Sequence, residues 1–198
     1  AAGAAAQDSA PTLGEPILKD ACSVIHDLCS LADGEQAQWL HINSSLPLRV
    51  LALQLLQIVL VEHHVTILAH PSLCTALHDR LSPVLVRYIN AQAGGLDPRM
   101  AFPVYKVIAV LLLHFHKAVI DQAEMFLNLT IRALEHGEAS AWSKYLLLLV
   151  LKEWAEGPGL LQALFRHSDL RESGPRPTVQ NIVQAAAGYL QKVYAETQ

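Results

Sequence analysis

Charge is the scarcest ingredient of this chain. Only 16% of its 198 residues are Asp, Glu, Lys or Arg, against ~25% in typical globular domains. Hydrophobic residues make up 52%, so intrinsic disorder, which needs few apolar residues and much charge, is excluded. Positive charge is scarcer than negative: 14 Lys and Arg stand against 18 Asp and Glu, for a net charge of −4. That balance does not attract phosphate backbones, so nucleic acid is not an expected partner. So little charge also fits a chain that does not meet water on every side, such as a piece of a longer protein or one layer of an assembly. The length accommodates one to two domains.

Cysteine is scarce as well. Cys22, Cys29 and Cys74 form an odd, sparse set, which is no disulfide framework and fits a reducing compartment. Cys22 and Cys29 share a helical face but stand about 10 Å apart along the axis, beyond disulfide reach. They read as small buried hydrophobes. Long apolar runs are missing too. The longest uncharged apolar stretch, 50–61, contains Gln54 and Gln57, and 107–115 is shorter; both fall below the ~18–20 residues of a membrane span. No basic region opens residues 1–14, so no signal peptide is expected. Residues 1–15 read as a disordered linker and 16–198 as one helical-repeat domain. Asn43-Ser44-Ser45 and Asn128-Leu129-Thr130 match the glycosylation sequon, but the second lies in a helical pattern and neither is taken as a modified site.

Strand signals are nearly absent. What is present is a 3.6-residue apolar periodicity. A first helix starts at Pro16, buries Leu18, Ala21, Cys22, Ile25, Leu28, Cys29 and Ala32, and ends at Asp33-Gly34. A second runs from Pro47 to about His63. Its stripe is Leu48, Leu51, Ala52, Leu55, Leu56, Val59 and Leu60, with Val50, Leu53 and Ile58 making other faces apolar, so burial from several sides is expected. Val65 to Ala69 adds one turn. Pro71 opens the third helix, which Pro83 is expected to kink or break. Residues 91–100, with Gly94-Gly95 and Asp97-Pro98, read as a loop. Pro103 starts the fourth helix, 121–135 forms the fifth, and Ser140 caps the sixth over 141–156. A short seventh covers 160 to about 166, and Thr178 caps the eighth.

About eight helices in sequential pairs result: first with second, third with fourth, fifth with sixth, seventh with eighth. Pairs begin near residues 16, 71, 121 and 158, and the spacings between these starts bracket the ~40–47-residue period of HEAT and armadillo units. The expected fold class is all-α, an α-solenoid in which stacked pairs bury both faces of each helix. The apolar excess points to one end of that stack being capped by another domain.

The residues that could carry chemistry do not assemble into a reactive set. His63-His64 and the pair His114 and His116 diverge around a helix, whereas metal ligands need to be three or four residues apart on one face. Histidines at helix ends and groove edges are the plainer reading. Cys74 has His70 four residues earlier on the same face, a weak pattern for a nucleophile and its base. Gly94-Gly95 lacks the following Lys and preceding strand of a phosphate loop. Arg49, Arg80, Arg87 and Arg99 are scattered and form no basic membrane patch.

An ordered series of short stretches resembles the HUS, or homology upstream, region of large Arf guanine-nucleotide exchange factors. It comprises Asp20 to Leu31 followed by Trp39-Leu40, Leu51 to Leu56, His70 to Leu73, Leu81 to Leu85, Glu124 to Leu127, Trp142, and Leu160 to Phe165. The likeness is greatest to the branch without an exchange domain. After the seventh helix the family reads Asn-Tyr-Asp-Cys, while here His167-Ser168-Asp169-Leu170 stands in its place. Only Asp169 matches. The resemblance implies a non-catalytic, cytosolic scaffold, peripheral on Golgi and endosome membranes, acting in retrograde traffic. It implies a Dopey-type protein, Arf-like GTPases and neighbouring domains of the same chain as partners, and no cofactor. The candidate interaction residues are Asp169 with Arg166 and Arg171. The plainer reading of Asp169 is a helix cap. The alternative at the level of the whole protein is a regulatory domain preceding a catalytic exchange domain.

Overall fold

The computed structural model describes residues 14–90, 97–135, 140–157, 159–170 and 177–196. Among these residues the chain is helical throughout: α1 (Glu15–Asp33), α2 (Leu46–Glu62), α3 (His64–Ala69), α4 (Pro71–Ala76), α5 (Ser82–Asn90), α6 (Pro98–Phe115), α7 (Ile120–Glu135), α8 (Ala141–Glu156), α9 (Leu160–Leu164) and α10 (Thr178–Glu196). A π-helical turn, Leu77–Leu81, joins α4 to α5, and another, Phe165–Asp169, extends α9. Prolines mark the starts of α1, α2, α4 and α6, where the missing N–H has no helical acceptor. Gly34 closes α1 at φ 95°. Its N–H donates to Leu31 O at 3.1 Å and that of Glu35 to Ser30 O at 2.8 Å, the paired bonds of a Schellman ending.

Neighbours in space fall into two series. α1 packs on α4, the first π turn and α5; α5 packs on α7, and α7 on α10. In the other series α2 packs on α6, α6 on α8, and α8 on α9. The expected sequential pairs, α1 with α2, α5 with α6, α7 with α8 and α9 with α10, join one series to the other. α6 sits at the centre. Twelve of its eighteen residues are buried, and Tyr105, Ile108, Leu111 and Phe115 are fully enclosed. Burying Ile108, Leu111 or Phe115 contributes roughly 1.5–3 kcal/mol each. By length and composition α6 alone among the described helices is long and apolar enough to cross a membrane; its burial makes it the core helix of this fold.

Four expectations are corrected. Of the kink or break expected at Pro83, the break does not occur. The π turn just before it shifts the bonding so that Ser82 N–H reaches Leu77 O, and the chain runs on helically to Asn90. The fourth helix begins at Pro98, not Pro103, because Asp97 caps it by accepting from the Arg99 N–H at 2.9 Å. Ser140 occupies the cap position of α8 without a side-chain cap bond. On α2 the buried residues are Ala52, Leu53, Leu56 and Leu60, while Leu51, Leu55 and Ile58 are exposed. The expected linker falls mostly on 1–13, and the Gly94-Gly95 loop on 91–96; both lie outside the described residues.

Candidate functional site

The corner singled out by the sequence is built where α9 ends, α7 begins and α10 starts. The second π turn closes with the Leu170 N–H on Phe165 O at 3.1 Å. Three polar links then tie it down. Asp169 Oδ1 accepts from the Val179 N–H at 3.2 Å. His167 Nε2–H donates to Asp121 Oδ1 at 3.2 Å. The Thr178 hydroxyl, fully buried, donates to Glu124 Oε1 at 3.2 Å.

Asp169 therefore satisfies one of the free N–H groups in the first turn of α10 and places negative charge at the positive end of that helix. Thr178, expected to be the cap, is instead the first helical residue. The Pro177 carbonyl accepts the Asn181 N–H at 3.0 Å, and the Thr178 side chain turns to α7. Arg166 is exposed beside exposed Phe165 and Leu170, an arginine, an aromatic ring and an aliphatic side chain on one turn. Of the three, arginine is a residue type enriched at the energetic centres of protein interfaces. Arg171 lies outside the described residues.

The structure also organises residues that sequence reasoning left unassigned. Asp27 is 2% exposed, and its carboxylate accepts from the N–H groups of Gln38 at 3.1 Å and Leu40 at 2.7 Å. These bonds clamp the loop on both sides of Trp39, whose indole remains half exposed. Arg49 reaches from α2 to Ala32 O at 3.4 Å and to the Tyr88 hydroxyl oxygen at 2.6 Å, while that hydroxyl donates to Ala32 O. Arg87 pairs with Asp33, and Arg99 with Asp97 at 2.8 Å. The only sequence signal for Asp27 was an acidic residue two positions after Ile25 and one before Leu28 on a helix with a buried face.

The histidine and cysteine readings change in detail. His64 and His114, from separate clusters, meet across α3 and α6 with ring centroids 4.7 Å apart. Burial and the neighbouring His64 hold the His114 imidazole below its ordinary range. No group of three metal-ligating side chains occurs among the described residues. Burial pushes the Cys29 thiol up to about 12. Burial also raises Cys74, whose Sγ donates to Ile67 O at 3.3 Å, the opposite of an activated thiolate.

A profile of the family described as Mon2/Sec7/BIG1-like, HUS domain, matches residues 17–176. Human Protein MON2 homolog is 23% identical over 195 residues, covering 91% of this chain and 11% of its own length. The Xenopus laevis protein of the same name matches over the same shares at 23% identity. The Drosophila melanogaster one is 24% identical over 188 residues, 86% of this chain and 11% of that protein. The chain thus spans about a tenth of the length of these curated relatives. No solved structure matches it. With four-fifths of its length covered by the profile, the chain belongs to the Mon2/Sec7/BIG1-like HUS domain family.

Proposed function

We propose that this chain is a non-catalytic protein-interaction module, an α-solenoid segment of a Mon2-like scaffold peripheral on Golgi and endosome membranes and serving retrograde endosome-to-Golgi transport. The family match over residues 17–176 carries the reading. The two series of packed helices, joined pair by pair, support the solenoid: in such a stack each pair contacts its neighbours and the assembly holds a fixed extended surface. The matching curated relatives named above are all Mon2 homologues, which favours this reading over a regulatory domain preceding a catalytic exchange domain. The departure of His167, Ser168 and Leu170 from the family's box points the same way. The proposed partners are a Dopey-type protein, Arf-like GTPases and neighbouring domains of the same chain.

The corner at the second π turn is the proposed contact. Its proposed contact residues are Asp169, Arg166 and Arg171; Asp169 also ties the turn to the start of α10. The test is capture of a purified Dopey-type protein and of a purified Arf-like GTPase by the immobilised chain. The expected result is retention of at least one, lost with Arg166→Glu at an unchanged thermal midpoint, because Arg166 is exposed. Asp169→Ala is expected to lower stability by about 1 kcal/mol, as loss of a helix cap does. Failure to retain either partner overturns the scaffold reading; retention unaffected by Arg166→Glu removes this corner from it.

A further inference from the structure

The seam between α7 and α10 opens into a groove of about 400 Å³. Its floor is Ile131, buried on α7. Its walls carry three amides: Asn128 from α7, and Asn181 and Gln184 from α10. Asparagine is a poor choice inside a helix, because its side chain competes with the backbone for hydrogen bonds. Here Asn128 and Asn181 both stand within helices and both are partly buried. No side-chain hydrogen bond of Asn128, Asn181 or Gln184 occurs among the described residues.

An amide side chain offers an N–H donor and a carbonyl acceptor side by side. Its complement is another amide, and a peptide main chain in extended conformation supplies amides in series. The groove's length fits. Glu124 and Glu135 bracket it on α7, eleven residues or about 16 Å apart at the helical rise, which matches roughly five extended residues. The charge fits one kind of side chain. Two carboxylates line the groove against the single guanidinium of Arg132, so a cation is favoured over an anion. Glu124 gives Oε1 to Thr178 and keeps further acceptor capacity.

We propose that this groove binds an extended segment of about five residues from a partner protein, its main chain paired with Asn128, Asn181 and Gln184 and a Lys or Arg side chain paired with Glu124 or Glu135. The proposal rests on the reading of the chain as an interaction module. It fails separately from that reading, because Arg166, the residue altered in the capture test, does not line the groove.

The probe is a phage-displayed library of random ten-residue peptides, selected on the immobilised 198-residue chain, with affinities of enriched peptides then measured by fluorescence anisotropy. The expected outcome is enrichment of peptides carrying Lys or Arg. Asn128→Leu and Gln184→Leu are each expected to weaken them about tenfold, the effect of one or two hydrogen bonds. Glu135→Lys is expected to shift the preference toward acidic peptides, which a merely structural role would not do. Gln184 is exposed, so its variant stays folded even where Asn128→Leu does not. The proposal is overturned if no peptide is enriched over a control protein, or if enriched peptides bind the Gln184→Leu variant as tightly as the parent.

Discussion

At the scale of single residues, the most consequential polar group is Asp27. The connection after α1 has one isolated backbone bridge, between Ala37 and Ile42, a bond from the Ser44 hydroxyl to Leu31 O at 2.9 Å, and the two bonds to that carboxylate. Replacing it with alanine leaves the Gln38 and Leu40 N–H groups without their acceptor. Asp27→Ala is expected to reduce stability by roughly 2–4 kcal/mol, since bonds to a charged acceptor exceed ordinary ones. Asp27→Asn keeps one acceptor oxygen and is expected to lose about half as much. Urea unfolding of the three proteins measures both, and equal stability of parent and Asp27→Ala would show that the loop holds itself. The sequence hid this role. Asp27 lies beside Leu28 and Cys29, and a rotation of tens of degrees decides whether an adjacent carboxylate faces water or a loop. Periodicity locates the apolar stripe but does not say what will cover its edge. Asp169 was more legible, because an acidic residue shortly before a new helix has a cap as its plainest role.

At the scale of elements, what periodicity and punctuation could settle was settled. The bounds of α1, α2, α7 and α8 follow from Pro16, Gly34, Pro47 and the apolar spacing. The misread elements are those with proline inside a helix. A proline removes one N–H and crowds the preceding turn, and a π turn relieves this by offering a wider ring of bonds. The chain does so ahead of Pro83, which no local rule foretells because the neighbouring helices decide whether continuing is worthwhile. The end of α1 gives the clearest test at this scale. Gly34 is left-handed, and a Cβ built there lies 3.3 Å from Arg49 Cζ. Gly34→Ala therefore meets backbone strain of about 1–2 kcal/mol and presses on the guanidinium that links α2 to α1 and α5. A fall in the chemical midpoint is expected, against a rise for Gly188→Ala, a helical glycine with open space around it where alanine is the better helix former. A fall no larger than the backbone strain alone would mean that the Arg49 link yields freely.

At the scale of the whole molecule, the distribution of apolar surface follows each helix's place in the two packed series. α6, with neighbours on both sides, buries nearly all of its apolar residues. α2 begins its series and α10 ends the other, and both leave apolar residues in water: Leu51, Leu55 and Ile58 on α2, and Val183, Leu190 and Tyr194 on α10. This is the physical source of the low charge fraction noticed in the sequence. The expectation that α2 is buried on several sides holds for the faces toward α1 and α6; among the described residues the face of Leu51, Leu55 and Ile58 is left exposed. Leu51, Leu55 and Ile58 recur at i, i+4 and i+7 and form one continuous stripe. In relatives about nine times longer, there is ample chain to cover such a stripe. In the isolated chain it is expected to drive self-association at raised concentration. The triple variant Leu51→Lys, Leu55→Lys, Ile58→Lys is expected to stay monomeric in sedimentation velocity while unfolding near the parent's urea midpoint, since exposed sites away from special features change stability by only about 0.5 kcal/mol each. A variant that unfolds would place the stripe in the core after all. A variant that associates like the parent would move the adhesive surface to α10, where Val183→Lys and Leu190→Lys would then abolish it.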